Sequence, residues 1–348
     1  MKLLIITQRV EINDDVLGFF HGWLLEFAKH CEKLTVICLE KGEFSLPDNV
    51  EVLSLGKEGG ESRLKYVWRF YKYIFQKRGD YDKVFVHMNT EYAVLGGLFW
   101  RLGGKEASLW YVHKAVSYKL RLGEKFMKNI FTAGKDSCRI NSRKIKIVGH
   151  GIDVKKFTAR PDTAKIYDLI YVGRISQIKN QKLLIRAVDI LVSARKLTGL
   201  KVGLIGRTIT EKDQVYLNEL KLLVEESGLC DNISFVGAVP NMETVKYYNQ
   251  AKISVNLCPT GGVDKAVLES MACEIPVIAF NKAFREIFGE RSDLLLLDQP
   301  DEEELAGKIL RLLNLPAAEK ISLGQALRKI IVEKYSLENL IKVIIRNL

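Results

Sequence analysis

The chain has 348 residues, 47% of them apolar and 27% charged, so it is a globular protein long enough for two domains. Its six cysteines show no C-x-x-C spacing, which argues against a zinc site or a disulfide framework and indicates thiols in a reducing compartment. No apolar run is long enough for a signal peptide or a membrane span, so a cytoplasmic protein is expected.

The net charge of +11 lies mainly in the first half of the chain. Residues 1–160 contain 28 lysines and arginines against 18 aspartates and glutamates, and the remainder is nearly neutral. A basic half predicts an anionic partner, with nucleic acid and an acidic membrane surface as the two candidates. Nucleic acid is disfavoured because the basic residues are spread out and no base-stacking motif occurs. The membrane alternative places the protein peripherally on the inner face of the membrane.

Strand and helix patterns alternate along the first half of the chain. Short apolar runs predict parallel strands at residues 2–7, 34–39, 50–55, 83–88, 108–113 and 144–148. Apolar residues at helical spacing predict helices at residues 18–29, 63–78, 92–102 and 118–131. Such alternation is typical of a doubly wound parallel sheet.

The alternation restarts after residue 160. Strands are predicted at residues 168–172, 201–205, 233–236, 253–256, 276–279 and 294–297. Helices are predicted at residues 180–194, 211–227, 265–273, 302–314 and 336–348. Two α/β units in succession predict two Rossmann-like domains, 1–153 and 154–330, with parallel sheets facing across a cleft. The segment 331–348 is expected to pack back toward the N-terminal domain.

The helix predicted at 265–273 follows a two-glycine turn, in the stretch TGGVDKAVLESMACEIP (260–276). Asp264, Lys265 and Glu269 lie to one side of its apolar stripe. A glycine turn before a helix presents free backbone N–H groups and the positive end of the helix dipole, which suits a diphosphate. Taken alone, such a turn is more typical of an ordinary loop.

A second feature follows the first strand of the second half. In YVGRISQIKN (171–180) a buried strand ends at Gly173, Arg174 comes next, and Lys179 follows five residues later. Cations at the carboxyl end of a parallel strand project toward the ligand site, where a guanidinium and an ammonium suit a diphosphate. Solvated loop charges are the default interpretation, but the glycine turn in the same domain favours a binding site.

Four segments of the chain together resemble the donor half of the family 4 glycosyltransferases. They are VGHGIDVKKF (148–157), DLIYVGRISQIKNQKLLIRAV (168–188), FVGAVPNMETVKYYNQAKISVNLCPT (235–260) and NLCPTGGVDKAVLESMACEIPVIA (256–279). They cover most of residues 145–300, and the first half matches only in pattern. The resemblance implies the GT-B fold, two Rossmann-like domains across a deep cleft.

The resemblance also implies a reaction. A sugar would move from a nucleotide-diphosphate donor, UDP- or GDP-linked, to a glycan or lipid-linked acceptor used in cell-envelope polysaccharide or glycolipid synthesis. The anomeric configuration would be retained, and neither a metal nor a further cofactor would be needed. Fixed cations and helix N–H groups would stabilise the departing nucleoside diphosphate.

Individual residues receive roles from the resemblance. Arg174 and Lys179 would hold the donor diphosphate, and Glu269, the second glutamate of an E-x7-E motif, would accept hydrogen bonds from the ribose. The expected catalytic residues are His113, which would line the sugar pocket, with Arg174, Lys179 and Glu269. The expected donor-binding residues are Gly18, which would let a loop approach the phosphate, Gly173, Arg174, Lys179, Gly262, Val263, Asp264, Lys265 and Glu269.

The chain departs from the family pattern at the first glutamate of E-x7-E, where it has Gly261. That carboxylate usually orients a donor-sugar hydroxyl. Asp264 either replaces it or serves as a helix N-cap. The missing carboxylate favours one alternative function, a non-catalytic partner of another transferase. A nicotinamide-dependent enzyme is disfavoured by the lack of G-x-G-x-x-G after the first strand.

Three residues of the first half are candidates for contact with the acceptor. Asp14 and Asp15 follow the first strand, where they either meet acceptor hydroxyls or form an acidic cluster at a helix N-terminus. His87 lies near the end of the strand predicted at 83–88.

The helix predicted at 63–78, RLKYVWRFYKYIFQKR, carries cations among its aromatic residues. Its predicted buried stripe is Leu64, Val67, Trp68, Tyr71 and Phe75, and its predicted exposed flank is Tyr66, Phe70 and Tyr73. The helix either packs on the sheet with snorkelling lysines or contacts anionic lipid.

Overall fold

The computed structural model describes residues 1–14, 16–259 and 262–348. The chain divides into two compact units. Unit 1 contains residues 1–151 and 337–348, and unit 2 contains residues 152–336. Unit 2 reaches residue 336, and not 330, because a helix that the sequence did not predict, Ala317–Lys334, packs on its core.

Unit 1 is built on a parallel sheet of seven strands in the order β3-β2-β1-β4-β5-β6-β7. The strands are β1 (Lys2–Val10), β2 (Lys33–Lys41), β3 (Val50–Ser54), β4 (Lys83–His87), β5 (Glu106–Trp110), β6 (Ile130–Thr132) and β7 (Ile145–Ile147). The helices are α1 (Phe19–Ala28), α2 (Arg63–Gln76), α3 (Thr90–Leu102), α4 (Tyr118–Glu124) and, from the end of the chain, α13 (Leu337–Asn347).

Both faces of the unit 1 sheet are buried, as expected for a parallel sheet covered by helices. Successive residues of β1 point to opposite faces, so Leu3 and Ile5 join one apolar cluster while Leu4 and Ile6 join the other. Helix α13 lies in the first cluster beside α1. None of the helices within the described ranges is both long and apolar enough to span a membrane.

Unit 2 is built on a parallel sheet of five strands in the order β10-β9-β8-β11-β12. The strands are β8 (Tyr167–Val172), β9 (Val202–Ile205), β10 (Ile233–Gly237), β11 (Ala251–Asn256) and β12 (Val277–Ala279). The helices are α5 (Gln181–Asp189), α6 (Glu211–Glu226), α7 (Thr244–Asn249), α8 (Lys265–Ala272), α9 (Arg285–Phe288), α10 (Ser292–Leu295), α11 (Glu302–Leu313) and α12 (Ala317–Lys334). The predicted fold class, two Rossmann-like parallel-sheet domains, is confirmed.

In unit 1, β2 and β3 are added on one side of β1, and the later strands, beginning with β4, are added on its other side. In unit 2, β9 and β10 lie on one side of β8, and β11 and β12 lie on its other side. The order of strands therefore reverses between β1 and β4 and between β8 and β11. Open α/β sheets bind ligands at the carboxyl ends of the strands that flank such a reversal. In unit 2 these ends are Val172 and Asn256, so the segments beginning at Gly173 and Leu257 occupy the expected ligand position.

Three local predictions were wrong. The first two residues of the apolar run 294–297 end the short helix α10, and Leu296 makes an isolated bridge to Ala279. The single helix predicted at 118–131 is α4 followed by β6. The strand predicted at 108–113 ends at Trp110. An apolar run as short as 294–297 fits a strand and a buried helix turn equally well, so packing decides between them.

The buried face of α2 also differs from the prediction. Phe70 and Ile74 are buried, whereas Leu64, Trp68 and Phe75 are among the most exposed apolar side chains of the described residues. Apolar residues occur around nearly the whole circumference of this helix, so their spacing alone could not select the face that meets the sheet.

Candidate functional site

Lys179 and Asp264 meet beside the carboxyl ends of β8 and β11. Lys179 ends a short 3-10 turn, Gln177–Lys179, and its ammonium donates to the Asp264 carboxylate. The Asn256 side-chain amide donates to the same oxygen, Oδ2, at 3.1 Å. Burial disfavours both charges, but the ion pair outweighs it and leaves the pKa of Lys179 raised and that of Asp264 lowered. The pair is therefore ionised at neutral pH.

Asp264 also begins helix α8. Its Oδ1 accepts a hydrogen bond from the Ala266 N–H at 3.3 Å, which makes Asp264 the N-cap. The neighbouring Gly262 carbonyl accepts from the Asn281 side-chain amide at 3.2 Å, and Val263 packs against the unit 2 core. The turn before α8 is thus held from two sides. Thr260 and Gly261 lie outside the described residues.

Glu269 lies one turn into α8 with its carboxyl group already oriented. Oε1 accepts from the Asn241 side-chain amide and Oε2 from the Tyr248 hydroxyl, both at 3.2 Å. The side chain is buried, and burial raises the pKa of Glu269 and lowers that of Lys265. Each oxygen of the Glu269 carboxyl group thus accepts one hydrogen bond from the protein, and these two bonds set the orientation in which the group meets a ligand.

Lys156 supports this arrangement from behind Asn241. Its ammonium donates to the Asn241 carbonyl at 3.0 Å and to the Asn241 side-chain oxygen at 3.2 Å. Burial lowers the pKa of Lys156 to about 8, although the Glu269 carboxylate acts in the opposite direction. The sequence did not identify Lys156, Asn241 or Tyr248 individually, although all three lie in segments that carried the family resemblance.

We expect the low pKa of Lys156 to make stability depend on pH. The unfolded chain binds this proton with a pKa of 10.5 and the folded protein with a pKa of about 8, so the unfolded state holds more protons between these values. The free energy of unfolding should therefore rise with pH in this window, by at most about 1.4 kcal/mol per pH unit from this group. Urea denaturation from pH 7.5 to 9.5 should show a smaller rise in Lys156→Met than in Lys155→Met, an exposed neighbour. Equal slopes in the two variants would contradict the prediction.

Arg174 stands at the carboxyl end of β8 on a backbone shaped by two glycines. Its side chain is exposed, and its carbonyl accepts from the Gln181 side-chain amide at 2.9 Å. Gly173 has φ +155° and Gly206, just after β9, has φ +146°. A β-carbon at Gly206 would lie 1.9 Å from the Gly173 carbonyl oxygen. Gly206 therefore determines the path of the Arg174 loop, a role that the sequence did not indicate.

Gly206→Ala should be strongly destabilising. The added methyl group overlaps the Gly173 carbonyl oxygen, and the positive φ adds backbone strain, so we expect a loss of about 3 kcal/mol in the free energy of unfolding. Gly199→Ala, where a β-carbon meets nothing within 4 Å, serves as the control. Chemical denaturation of the two variants checks the difference, and similar midpoints would contradict it.

Gly18 precedes α1 in unit 1 and is required by its own loop. Its β-carbon would lie 2.4 Å from the Asp14 carbonyl oxygen. The Asp14 carboxylate accepts from the Val16 and Leu17 N–H groups at 2.9 and 2.6 Å and pairs with Arg9. Asp14 is therefore committed to shaping the loop. Asp15, the other carboxylate predicted to meet the acceptor, lies outside the described residues.

The two predicted histidines differ in accessibility. His87 is buried, stacks on Phe20 with ring centroids 4.0 Å apart, and its Nδ1 lies 3.2 Å from the Thr7 hydroxyl. This packing holds the His87 ring in place, and its contact with the acceptor stays a prediction. His113 is exposed, and its Nδ1 accepts from the Ala115 N–H at 3.0 Å, so its ring remains accessible to a ligand.

Unit 1 contains a cavity of about 840 Å³ at the carboxyl end of its sheet. Among the lining residues, Gln8 lies near the end of β1 and Asn89 follows β4, and these two strands flank the reversal of strand order. Three tyrosines, Tyr66, Tyr92 and Tyr118, provide flat apolar walls with hydroxyl groups. A cavity with a few polar groups among aromatic walls is typical of a ligand site.

The family model described as "Glycosyl transferases group 1" matches residues 152–329, just over half of the chain and nearly all of unit 2. The chain belongs to the group 1 glycosyl transferases. The family resemblance read from the sequence is thereby confirmed, and the residues of the Lys179–Asp264 site and of the Glu269 cluster all lie inside the matched segment.

Curated relatives of known name match part of the chain, and two of them illustrate the range. The D-inositol 3-phosphate glycosyltransferase of Paenarthrobacter aurescens is 25% identical over 150 residues, which cover 40% of this chain and 35% of that protein. The alpha-monoglucosyldiacylglycerol synthase of Streptococcus pneumoniae is 28% identical over 170 residues, covering 48% of this chain and 36% of that protein. The chain thus spans about a third of the length of these relatives.

The solved structure of Anabaena Alr3699/HepE in complex with UDP and glucose is similar to the whole chain. The TM-score is 0.76 at 16% identity, with 99% of this chain and 98% of that chain covered. Similarity at this identity establishes the fold, which is GT-B.

Proposed function

We propose that this chain is a retaining glycosyltransferase that moves a sugar from a nucleotide-diphosphate donor to a glycan or lipid-linked acceptor without a metal ion. The observation that carries the proposal is the ion pair of Lys179 with Asp264 at the start of α8, beside Arg174, at the strand reversal of the unit that matches the family.

The donor half of the reaction is assigned to unit 2. Negative charge develops on the departing nucleoside diphosphate, and fixed donors aimed at that charge lower the barrier. Arg174 and Lys179 supply two cations, and the amino end of α8 supplies N–H groups and the positive end of a helix dipole. Glu269, oriented by Asn241 and Tyr248, would accept from the ribose hydroxyls. UDP and GDP are the two expected nucleotides.

The acceptor half is assigned to the unit 1 cavity. Its volume suits one or two sugar-sized groups, and its tyrosines can stack on a sugar ring while their hydroxyls donate to it. The two curated relatives are named for an inositol phosphate and for a glucosyl diacylglycerol, which supports transfer to a polyol or a lipid. For this chain we propose cell-envelope polysaccharide or glycolipid synthesis, carried out in the cytoplasm at the inner face of the membrane.

One observation favours a second function, a non-catalytic nucleotide-sugar-binding partner of another transferase. Gly261 occupies the place of the first glutamate of E-x7-E, so the usual carboxylate for the donor sugar is missing. Asp264 is the nearest replacement, but its carboxylate already caps α8 and pairs with Lys179. Turnover separates the two functions: transfer to an acceptor, or slow donor hydrolysis, by the purified chain excludes the partner role.

A thermal-shift panel tests donor binding directly. UDP or GDP at about 100 times its dissociation constant should add about 2.7 kcal/mol to the free energy of unfolding, whereas ADP should add little. Nucleotide-sugars of the same base should act alike. If none of these nucleotides shifts the transition, the assignment of unit 2 as a donor domain fails.

A further inference from the structure

Helices α2 and α3 of unit 1 expose a continuous apolar surface, which we name the α2–α3 surface. Its residues are Leu64, Trp68 and Phe75 on α2, and Leu98, Phe99 and Leu102 on α3. Leu64 is 82% exposed, Trp68 62% and Leu102 77%. The two helices are joined by edge-to-face contacts of Phe99 with Tyr71 and with Phe75, at centroid distances of 5.1 and 5.5 Å. Single exposed apolar residues are ordinary, but a contiguous group indicates an interaction surface.

The charges around this surface have one dominant sign. Helix α2 contains Arg63, Lys65, Arg69 and Lys72 and no acidic residue. Glu61, just before the helix, pairs with Lys65 at 2.7 Å and with Arg69 at 2.9 Å, so the cations still outnumber the carboxylates. Helix α3 adds Arg101, and Glu91 is its one carboxylate. The Lys72 ammonium lies 5.1 Å from the centre of the Trp68 ring, a cation–π contact that keeps this charge at the edge of the apolar stripe. An apolar face rimmed by lysine and arginine is complementary to an anionic lipid bilayer.

The same two helices line the unit 1 cavity. Arg63, Tyr66 and Val67 of α2 and Tyr92, Val94 and Leu95 of α3 are lining residues. Val67 is adjacent in sequence to Trp68, and Leu95 lies one helical turn before Leu98 and Phe99. Contact of the α2–α3 surface with a bilayer would therefore hold the cavity near the level of the lipid headgroups.

We propose that the α2–α3 surface docks the protein on acidic membranes and brings the unit 1 cavity to the headgroup of a lipid-linked acceptor. Trp68, Leu64, Leu98 and Leu102 enter the interface, and Lys72 and Arg101 meet the lipid phosphates. The part that concerns the acceptor rests on the proposed function, whereas the docking itself does not.

Vesicle co-sedimentation tests the docking. The probes are vesicles of neutral phosphatidylcholine and vesicles in which about a quarter of the lipid is acidic phosphatidylglycerol. The wild-type chain should partition onto the acidic vesicles, and added salt should weaken this binding. Each lysine or arginine near the membrane surface raises the partition coefficient about fivefold. Lys72→Glu should therefore lower the partition coefficient at least about fivefold. Leu64→Ser/Trp68→Ser should lower it by about tenfold or more.

Matched controls lie on α6 of unit 2. Val215 and Leu222 are exposed to 59% and 56%, and Lys221 is exposed as well, so Val215→Ser/Leu222→Ser and Lys221→Glu remove similar groups from another helix. These controls should sediment like the wild type. Equal losses in the controls, or no sedimentation of the wild-type chain, would overturn the proposal. A wild-type dimer in solution that Leu64→Ser/Trp68→Ser dissociates, without vesicle binding, would also overturn it and assign the surface to self-association.

Nucleotide binding separates this proposal from the proposed function. The surface variants should keep the thermal shift with UDP or GDP, since they lie in unit 1 and outside the donor site. Vesicle binding without any nucleotide response would leave the docking intact and refute the transferase. A nucleotide response and transfer to a soluble glycan, without vesicle binding, would refute the docking alone.

Discussion

Arg174→Ala is expected to lower kcat by about 10²–10³ while the protein remains folded. The Arg174 side chain is exposed, so its removal leaves no cavity. The backbone carbonyl of residue 174 keeps the hydrogen bond from the Gln181 side chain. The guanidinium is assigned to the departing diphosphate, where negative charge grows in the transition state. Steady-state transfer kinetics and a thermal melt of the same preparation measure the two quantities.

Two further variants sharpen the Arg174 test. Arg174→Lys keeps the charge but loses the planar two-donor geometry, so an intermediate rate is expected. Arg186→Ala on α5 removes another exposed arginine of unit 2, whose guanidinium lies 3.9 Å from the Glu302 carboxylate, and should retain the wild-type rate. A near-normal kcat in Arg174→Ala would contradict the assignment of Arg174 to the diphosphate site, whatever rate the Arg186→Ala control shows.

Lys179→Ala is expected to lower kcat to a similar extent, but it should also destabilise the protein. The substitution leaves the Asp264 carboxylate mostly buried, 22% exposed, without its cation. Removal of one partner from a fully buried pair costs about 3–5 kcal/mol, and the residual exposure reduces this to about 2–3 kcal/mol. Denaturation and transfer kinetics together should therefore report two separate losses.

The double variant Lys179→Ala/Asp264→Asn distinguishes these two losses. An asparagine side chain can still cap α8 and carries no charge, so stability should return to within about 1 kcal/mol of the wild type. The rate should stay low, because the ammonium for the diphosphate is still absent. Recovery of the rate together with stability would mean that Lys179 acts only on the fold. Lys182→Ala, an exposed lysine three residues away, is the control for both measurements.

The sequence alone determined the fold class, because strand and helix periods of 2 and 3.6 residues are local properties of the chain. It also placed Gly173, Arg174, Lys179 and Glu269 in one unit, since motifs at strand ends and helix starts have fixed local geometry. Where apolar residues surround an element on every side, as in α2, periodicity carried no information about the buried face. That choice was made by packing, and it changed which side chains are exposed.

Contacts between residues distant in sequence were decided by the tertiary structure. Lys179 reaches Asp264 across 85 residues, Asn241 reaches Glu269 across 28, and the Gly206 backbone passes over Gly173. None of these pairs leaves a periodic signal, because each depends on how the parallel strands of unit 2 are ordered. The sequence supplied the cations and the carboxylates, and the order β9-β8-β11 brought them to the same end of the sheet.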